Sequence, residues 1–222
     1  MNHHSEAKRR RSHTLTVMGV DIGQKRDPTA IAVAEIDYRE SDLPRRRKES
    51  HYLVRHLERL QLGTPYPKVS RRIGEICQRV NAQTANRPHV FVDATGVGQP
   101  IVDLLKDSAP EAQRIWAVYF THGDLRTENR GENKITLGKA FLVSRLQMLL
   151  QCQRLHLPRG HQEADALVKE LLDYEIRVDE NANDRYGAFR VGTHDDLVTA
   201  LGLAVNKEPR ISVYPGSESY GI

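Results

Sequence analysis

Asp21 closes the apolar run Val17-Met18-Gly19-Val20, and Asp93 closes His89-Val90-Phe91-Val92. Asp195 and Asp196 open a third apolar run, Leu197-Val198-Thr199-Ala200-Leu201. A carboxylate at the end of a buried segment costs free energy unless a hydrogen bond or a positive charge compensates it. Taken singly, each has an ordinary structural use. Asp21 and Asp93 can hydrogen-bond the backbone of a turn, and Asp195 or Asp196 can cap a helix and complement its dipole. Taken together they form a candidate all-oxygen cluster, which repels itself unless cations bind. Hard oxygen donors with room for water suit Mg²⁺ or Mn²⁺. Two such ions about 3.5–4 Å apart would support in-line attack of water on a phosphodiester. No side-chain nucleophile is then needed, and none stands out. Asp21, Asp93, Asp195 and Asp196 are the candidate catalytic and metal-binding residues.

Other motifs point away from rival chemistries. Gly96-Val97-Gly98 has Ile101 where a dinucleotide-binding turn needs its third glycine. Gly138-Lys139 is followed by Ala140, and Asn133 stands where a phosphate-binding loop needs its first glycine. His3, His4 and His13 are scattered through a polar start with no metal-ligand spacing. His194 can assist proton transfer or be a plain surface residue before a helix, and the second reading is preferred. The cluster Arg45, Arg46, Arg47 and Lys48, the pair Arg71 and Arg72, and the lysines Lys134 and Lys139 are candidates for DNA backbone contacts. Solvated charge is the ordinary alternative for each.

The elements that must position these residues follow from periodicity. Residues 14–21 and 29–37 read as two β-branched strands of an antiparallel hairpin, and 51–60 alternates as a third strand. Val69, Ile73, Ile76, Cys77 and Val80 make one apolar stripe of a helix over 68–82. A strand ending at Asp93, a helix through about 107 and a strand over 115–120 follow. Residues 121–134 read as a polar loop and 136–151 as an amphipathic helix. A brief edge strand at 155–157 stops at Pro158. A helix over 163–174, a hairpin of 175–178 with 186–191, and a last helix over 193–205 complete the pattern. Three consecutive antiparallel strands joined to parallel ones through crossover helices give a mixed sheet with helices on both faces. This is an α/β, ribonuclease H-like layout in which the first and fourth strands are neighbours, so Asp21 and Asp93 lie side by side.

Bulk composition sets the limits. At 222 residues the chain is long enough for one sizeable domain. The expected division is a disordered basic arm over 1–13, a ribonuclease H-like, candidate nuclease domain over 14–207 and a tail over 208–222. No apolar run approaches the roughly 18 residues of a membrane span, and the start has no signal-peptide core. Cys77 and Cys152 lack CxxC spacing and read as reduced core thiols of an intracellular protein. The formal net charge is +4, but Lys8, Arg9, Arg10 and Arg11 less Glu6 already account for +3. A nucleic-acid partner must therefore be argued from local chemistry and not from overall charge.

Gly19-Val20-Asp21-Ile22-Gly23 with Asp27-Pro28-Thr29-Ala30, then Val92-Asp93-Ala94-Thr95-Gly96-Val97-Gly98, then His194-Asp195-Asp196-Leu197 with Ala200-Leu201 resembles the nuclease domain of phage large terminase subunits. Lys139-Ala140-Phe141-Leu142-Val143 is similar to that family as well. The resemblance spans about residues 14–206. It implies a ribonuclease H-like, metal-dependent endonuclease that cuts double-stranded DNA during phage genome packaging, in the cytoplasm of a bacterial host or phage-infected cell. Asp21, Asp93 and Asp196 match the family's metal-binding carboxylates, with Asp195 as an additional one. A complete large terminase also carries an ATPase motor, and no P-loop is present here, so the resemblance leaves two alternatives: a separately encoded nuclease part, with a separate ATPase motor subunit and a portal as candidate partners, or a prophage remnant. Two rivals share some features. An ATP-binding phosphotransferase of the actin and sugar-kinase type also has a loop like Val20-Asp21-Ile22-Gly23. A catalytically silent DNA-binding or assembly module would keep the fold without cleavage.

Overall fold

The strand β1 (Leu15–Asp21) is apolar and buried along its middle because both of its faces are covered. It lies at the centre of an eight-stranded mixed sheet in this computed structural model, which describes residues 15–23, 27–40, 48–96, 98–178, 184–187 and 194–206. In chain order the further elements are β2 (Ala30–Glu40), β3 (Lys48–Arg59), α1 (Tyr66–Thr84), β4 (His89–Asp93), α2 (Gln99–Ser108), β5 (Arg114–Thr121), β6 (Arg126–Asn129), β7 (Lys134–Gly138), α3 (Lys139–Gln151), β8 (Leu155–His156), α4 (Gln162–Asp173), β9 (Glu175–Val178), β10 (Asp184–Gly187) and α5 (Asp196–Ala204). The sheet order is β6-β7-β5-β4-β1-β2-β3-β8, and β9 pairs with β10 in a separate ribbon. β1, β2 and β3 are antiparallel, whereas β4, β5 and β7 run parallel to β1.

Side chains alternate between the two faces of each strand. Met18, Val20, Val90 and Val92 pack under α1 and α2, with Ile73, Cys77 and Leu105. Val17, Phe91 and Trp116 face α3, α4 and α5, with Leu146, Leu167 and Leu201. Asp21 and Asp93 share the parity of Val17 and Phe91, so the pleat directs them to the second face.

Three expectations are corrected. Residues 126–129 and 134–138 are strands, not loop and helix start. Ile135 and Leu137 are buried with period two on the edge offered by β5, and this pairing outweighs the helical spacing of Leu137 with Phe141. Gly138, the last residue of β7, lets the Gly123 backbone approach closely, since a Cβ there would meet the Gly123 carbonyl oxygen at 2.1 Å. The third strand begins at Lys48 and not at 51, and Lys48 pairs with Glu40 at the exposed end of the hairpin. Cys152 is exposed after α3, while Cys77 is buried as expected. The expected arm, residues 208–222, Val97 and residues 188–191 of the expected hairpin lie outside the described residues.

Candidate metal centre

β1 and β4 pair in parallel with Val20 opposite Val92, so the next residues, Asp21 and Asp93, emerge together at the same sheet edge. Asp93 Oδ1 accepts the Thr95 N–H at 2.8 Å, which tightens the turn into α2. The structural role considered for Asp93 is thus present, on one of its two oxygens.

The third element arrives because Gly19 lets α5 lie against the backbone of β1. A Cβ on Gly19 would meet the Ala200 carbonyl oxygen at 1.9 Å and the Ala204 nitrogen at 2.5 Å. One turn before Ala200, the N-terminus of α5 therefore sits beside Asp21. Asp195 occupies the N-cap position but makes no capping hydrogen bond. The cap comes from α4 instead: Glu170 Oε2 accepts the N–H groups of Leu197 at 3.0 Å and Val198 at 3.1 Å. An acidic group here satisfies orphan donors and complements the positive end of the helix dipole.

Arg59 ties this corner together. Its Nε donates to Asp196 Oδ2 at 2.6 Å, its Nη1 reaches Glu163 Oε2 at 3.3 Å, and its Nη2 pairs with Glu170 Oε1. A β-bulge aims it there. Val33 pairs with His56 and Ala34 with Val54, so Arg55 is an extra residue that reverses the alternation of β3. Tyr52 and Val54 face α3–α5 before the bulge, and Leu57 faces the same side after it. Arg59 follows Leu57 in parity. Glu58 falls on the opposite face, where Arg72 binds both of its oxygens at 3.0 and 3.1 Å. Arg59 and Glu170 were not anticipated from the sequence. The available signal was an acidic residue, Glu170, among the apolar positions Leu167 and Leu171 of α4.

The electrostatics of the corner are strained. Asp21 lies well above the usual carboxylate range, first because burial desolvates it and then because Asp93, Asp195 and Asp196 repel its charge. Lys139, following β7 at the same sheet edge, pulls in the other direction. Asp196 is 2 % exposed, and its Oδ1 is buried without a hydrogen-bond partner. His194 Nδ1 stands 3.7 Å from that oxygen. Among the described residues, no three His, Cys, Asp or Glu side chains close on one point as a finished cage would. The donor set is open instead. It fits a small hard cation that keeps several waters and is held by one or two carboxylates plus phosphate oxygens.

The basic candidates divide by position. Lys139 is at the acidic corner, its Nζ 5.5 Å from the Phe120 ring centroid. Lys134 is exposed over Tyr119, with Nζ 4.9 Å from the ring centroid. Arg71 is exposed on α1, whereas Arg72 is engaged by Glu58 and Glu75. Lys48 lies ten register steps from the Arg59 end of β3, roughly 30 Å at the rise of a strand. Arg45, Arg46 and Arg47 lie outside the described residues.

Solved structures share this architecture. The nuclease domain of the large terminase subunit of bacterial virus Sf6, solved with manganese, superposes at a TM-score of 0.59 and 13% identity, covering 88% of this chain and 89% of that one. The chain has the fold of a large terminase nuclease domain. The large terminase nuclease of thermophilic phage G20c with bound magnesium matches this terminase-nuclease fold at 0.56 and 19% identity, over 88% and 82% of the two chains. The human cytomegalovirus terminase nuclease domain matches at 0.55 and 13%, over 86% and 81%. No protein-family model and no curated protein sequence matches the chain. At such identities the likeness concerns the ribonuclease H-like fold.

Proposed function

We propose that this chain is a metal-dependent endonuclease acting on double-stranded DNA, with Asp21, Asp93, Asp195 and Asp196 as its metal-binding carboxylates. The observation that carries the reading is the gathering of four carboxylates at one corner, with Asp21 among them. A half-buried carboxylate crowded by three others, beside a buried Asp196 oxygen with no hydrogen bond, is a poor arrangement for a cation-free protein. It suits one that binds Mg²⁺ or Mn²⁺. Two bound ions would supply an activated water and stabilise the departing oxygen of an in-line displacement.

The chain's own residues have distinct tasks. Asp21 and Asp93 present oxygens from the rigid ends of paired strands, and Asp195 and Asp196 present theirs from the start of a buried helix. Lys139 supplies positive charge at the same edge, placed to meet a backbone phosphate. Lys134 and Arg71 remain candidates for longer-range phosphate contacts. The fold likeness to viral terminase nuclease domains supports a role in genome packaging, alongside an ATPase motor and a portal.

Plasmid cleavage tests this. Nicking and linearisation are expected with Mg²⁺ or Mn²⁺ and should stop on chelation. Asp21→Asn and Asp93→Asn should each abolish cutting while circular dichroism stays unchanged. Cutting by either variant at the parental rate would end the assignment.

A further inference from the structure

Buried charge away from the four aspartates needs its own account. Glu170 is 5 % exposed, and the Arg59 side chain is 22 % exposed. Removing ionisable groups from water is costly, and a well-packed apolar substitute is often neutral or better for stability. The arrangement is nonetheless specific. Each donor nitrogen of Arg59 meets a different carboxylate, Asp196, Glu163 or Glu170. Only Asp196 belongs to the candidate centre. Arg59 takes its Oδ2 and leaves Oδ1, the buried oxygen without a hydrogen bond.

We infer that Arg59 is a positioning residue for the metal centre: with Glu170 it fixes the rotation of Asp196 so that one oxygen is held and the other is presented to a cation. This rests on the proposed reading of the aspartates as metal ligands. The physical reason is that a short carboxylate on the first turn of a helix can turn about its side-chain bonds, and a planar guanidinium restricts that freedom in a way a point charge cannot. Glu170 serves twice. One oxygen holds the N-terminus of α5 through Leu197 and Val198, and the other sets the plane of Arg59. Helix position and carboxylate orientation thus share one support. Groups of this kind around metal ligands change affinity by about 10–100-fold when altered.

The test uses the full chain and Mn²⁺ alone, titrated by calorimetry without DNA, with circular dichroism as the measure of folding. Arg59→Lys keeps the charge and loses the fork. It should weaken Mn²⁺ binding about tenfold or more, and in cleavage assays lower kcat with little change in KM for DNA. Glu170→Gln keeps an acceptor for the helix N–H groups and removes a charge from Arg59. It should weaken Mn²⁺ binding too, by a smaller factor than Arg59→Lys does. Wild-type affinity in a folded Arg59→Lys protein would overturn the inference. If that variant does not fold, wild-type affinity in Glu170→Gln would do the same. Parental Mn²⁺ binding by Asp21→Asn instead removes the reading of the aspartates, and the inference falls with it.

Discussion

The two faces of the sheet use alternate residues of the same strands to opposite ends. Beneath α1 and α2 the core is apolar, with the half-buried Glu58–Arg72 pair at its margin. Ser70 Oγ donates to the Leu104 carbonyl at 3.2 Å, and burial pushes the Cys77 thiol up to about 12. Beneath α3, α4 and α5 the same sheet carries Asp21, Asp93 and Arg59, and buries Glu170 and Asp196. Apolar burial stabilises at roughly 25 cal/mol per Å², whereas buried carboxylates detract from stability unless matched. One face holds the fold; the other spends some of that stability on a site. Substitutions on the two faces should therefore separate activity from stability.

The largest separation is expected at Asp21. On the proposed reading Asp21 is a metal ligand whose loss removes several kcal/mol of transition-state stabilisation, so Asp21→Asn should cost at least about 10²–10³-fold in kcat. The metal-free variant should nevertheless unfold at a higher temperature than the parent at neutral pH, because burial and three neighbouring carboxylates no longer oppose a charge there. A lower melting temperature would contradict the account of the acidic face.

Ile73→Ala on the other face should show the reverse. Truncating this fully buried side chain should cost about 2–5 kcal/mol in urea unfolding. Cleavage per folded molecule should not change. A sharper pair is Gly19→Ala and Gly74→Ala. Both create backbone collisions, with Ala200 oxygen at 1.9 Å and Ser108 oxygen at 2.1 Å respectively. Each should destabilise by about 1–3 kcal/mol or more. Only Gly19→Ala should also impair cutting and Mn²⁺ binding, since only it displaces α5.

Acidity should distinguish the faces more gently. Asp21 has a raised folded-state pKa, so the folded protein binds its proton more tightly than the unfolded chain. Its contribution is most favourable below the ordinary carboxylate value of 3.8 and is lost as pH rises through the elevated folded value. Urea midpoints of the metal-free protein should carry this decline, and Asp21→Asn should flatten it. Glu58, held down by Arg72 and His56 against its own desolvation, has the opposite sign: its stabilisation is present above 4.5 and fades as pH falls through the depressed value.

The smallest effect belongs to the sheet edge. His51 Nδ1 and His156 Nε2 lie 3.0 Å apart, a bond that needs one nitrogen unprotonated. Burial is the first cause lowering both histidines below 6.5, so their support is present above that pH and is lost on acidification through the lowered values. Hydrogen exchange at β8 should rise there, while that of β1 and β4 should not.

Much of this arrangement was written locally. Apolar runs ending in aspartate identified β1 and β4, and the order of strands and crossover helices identified a mixed sheet with β1 beside β4. Alternation and helical spacing are properties of neighbouring residues, so they survive without the fold. The β6–β7 strands were missed because Leu137 fits a helical stripe as well as a strand, and only the edge of β5 decides between them. Arg59 and Glu170 were missed for a stronger reason. Arg59 meets Asp196 across 137 residues of sequence, and its direction depends on a single-residue bulge whose register requires β2 to be in place. The sequence by itself determined that carboxylates would stand at the ends of buried strands. Only the tertiary structure decided which cation would hold Asp196 and which acid would cap α5, because contacts between distant residues leave no periodic trace in the chain.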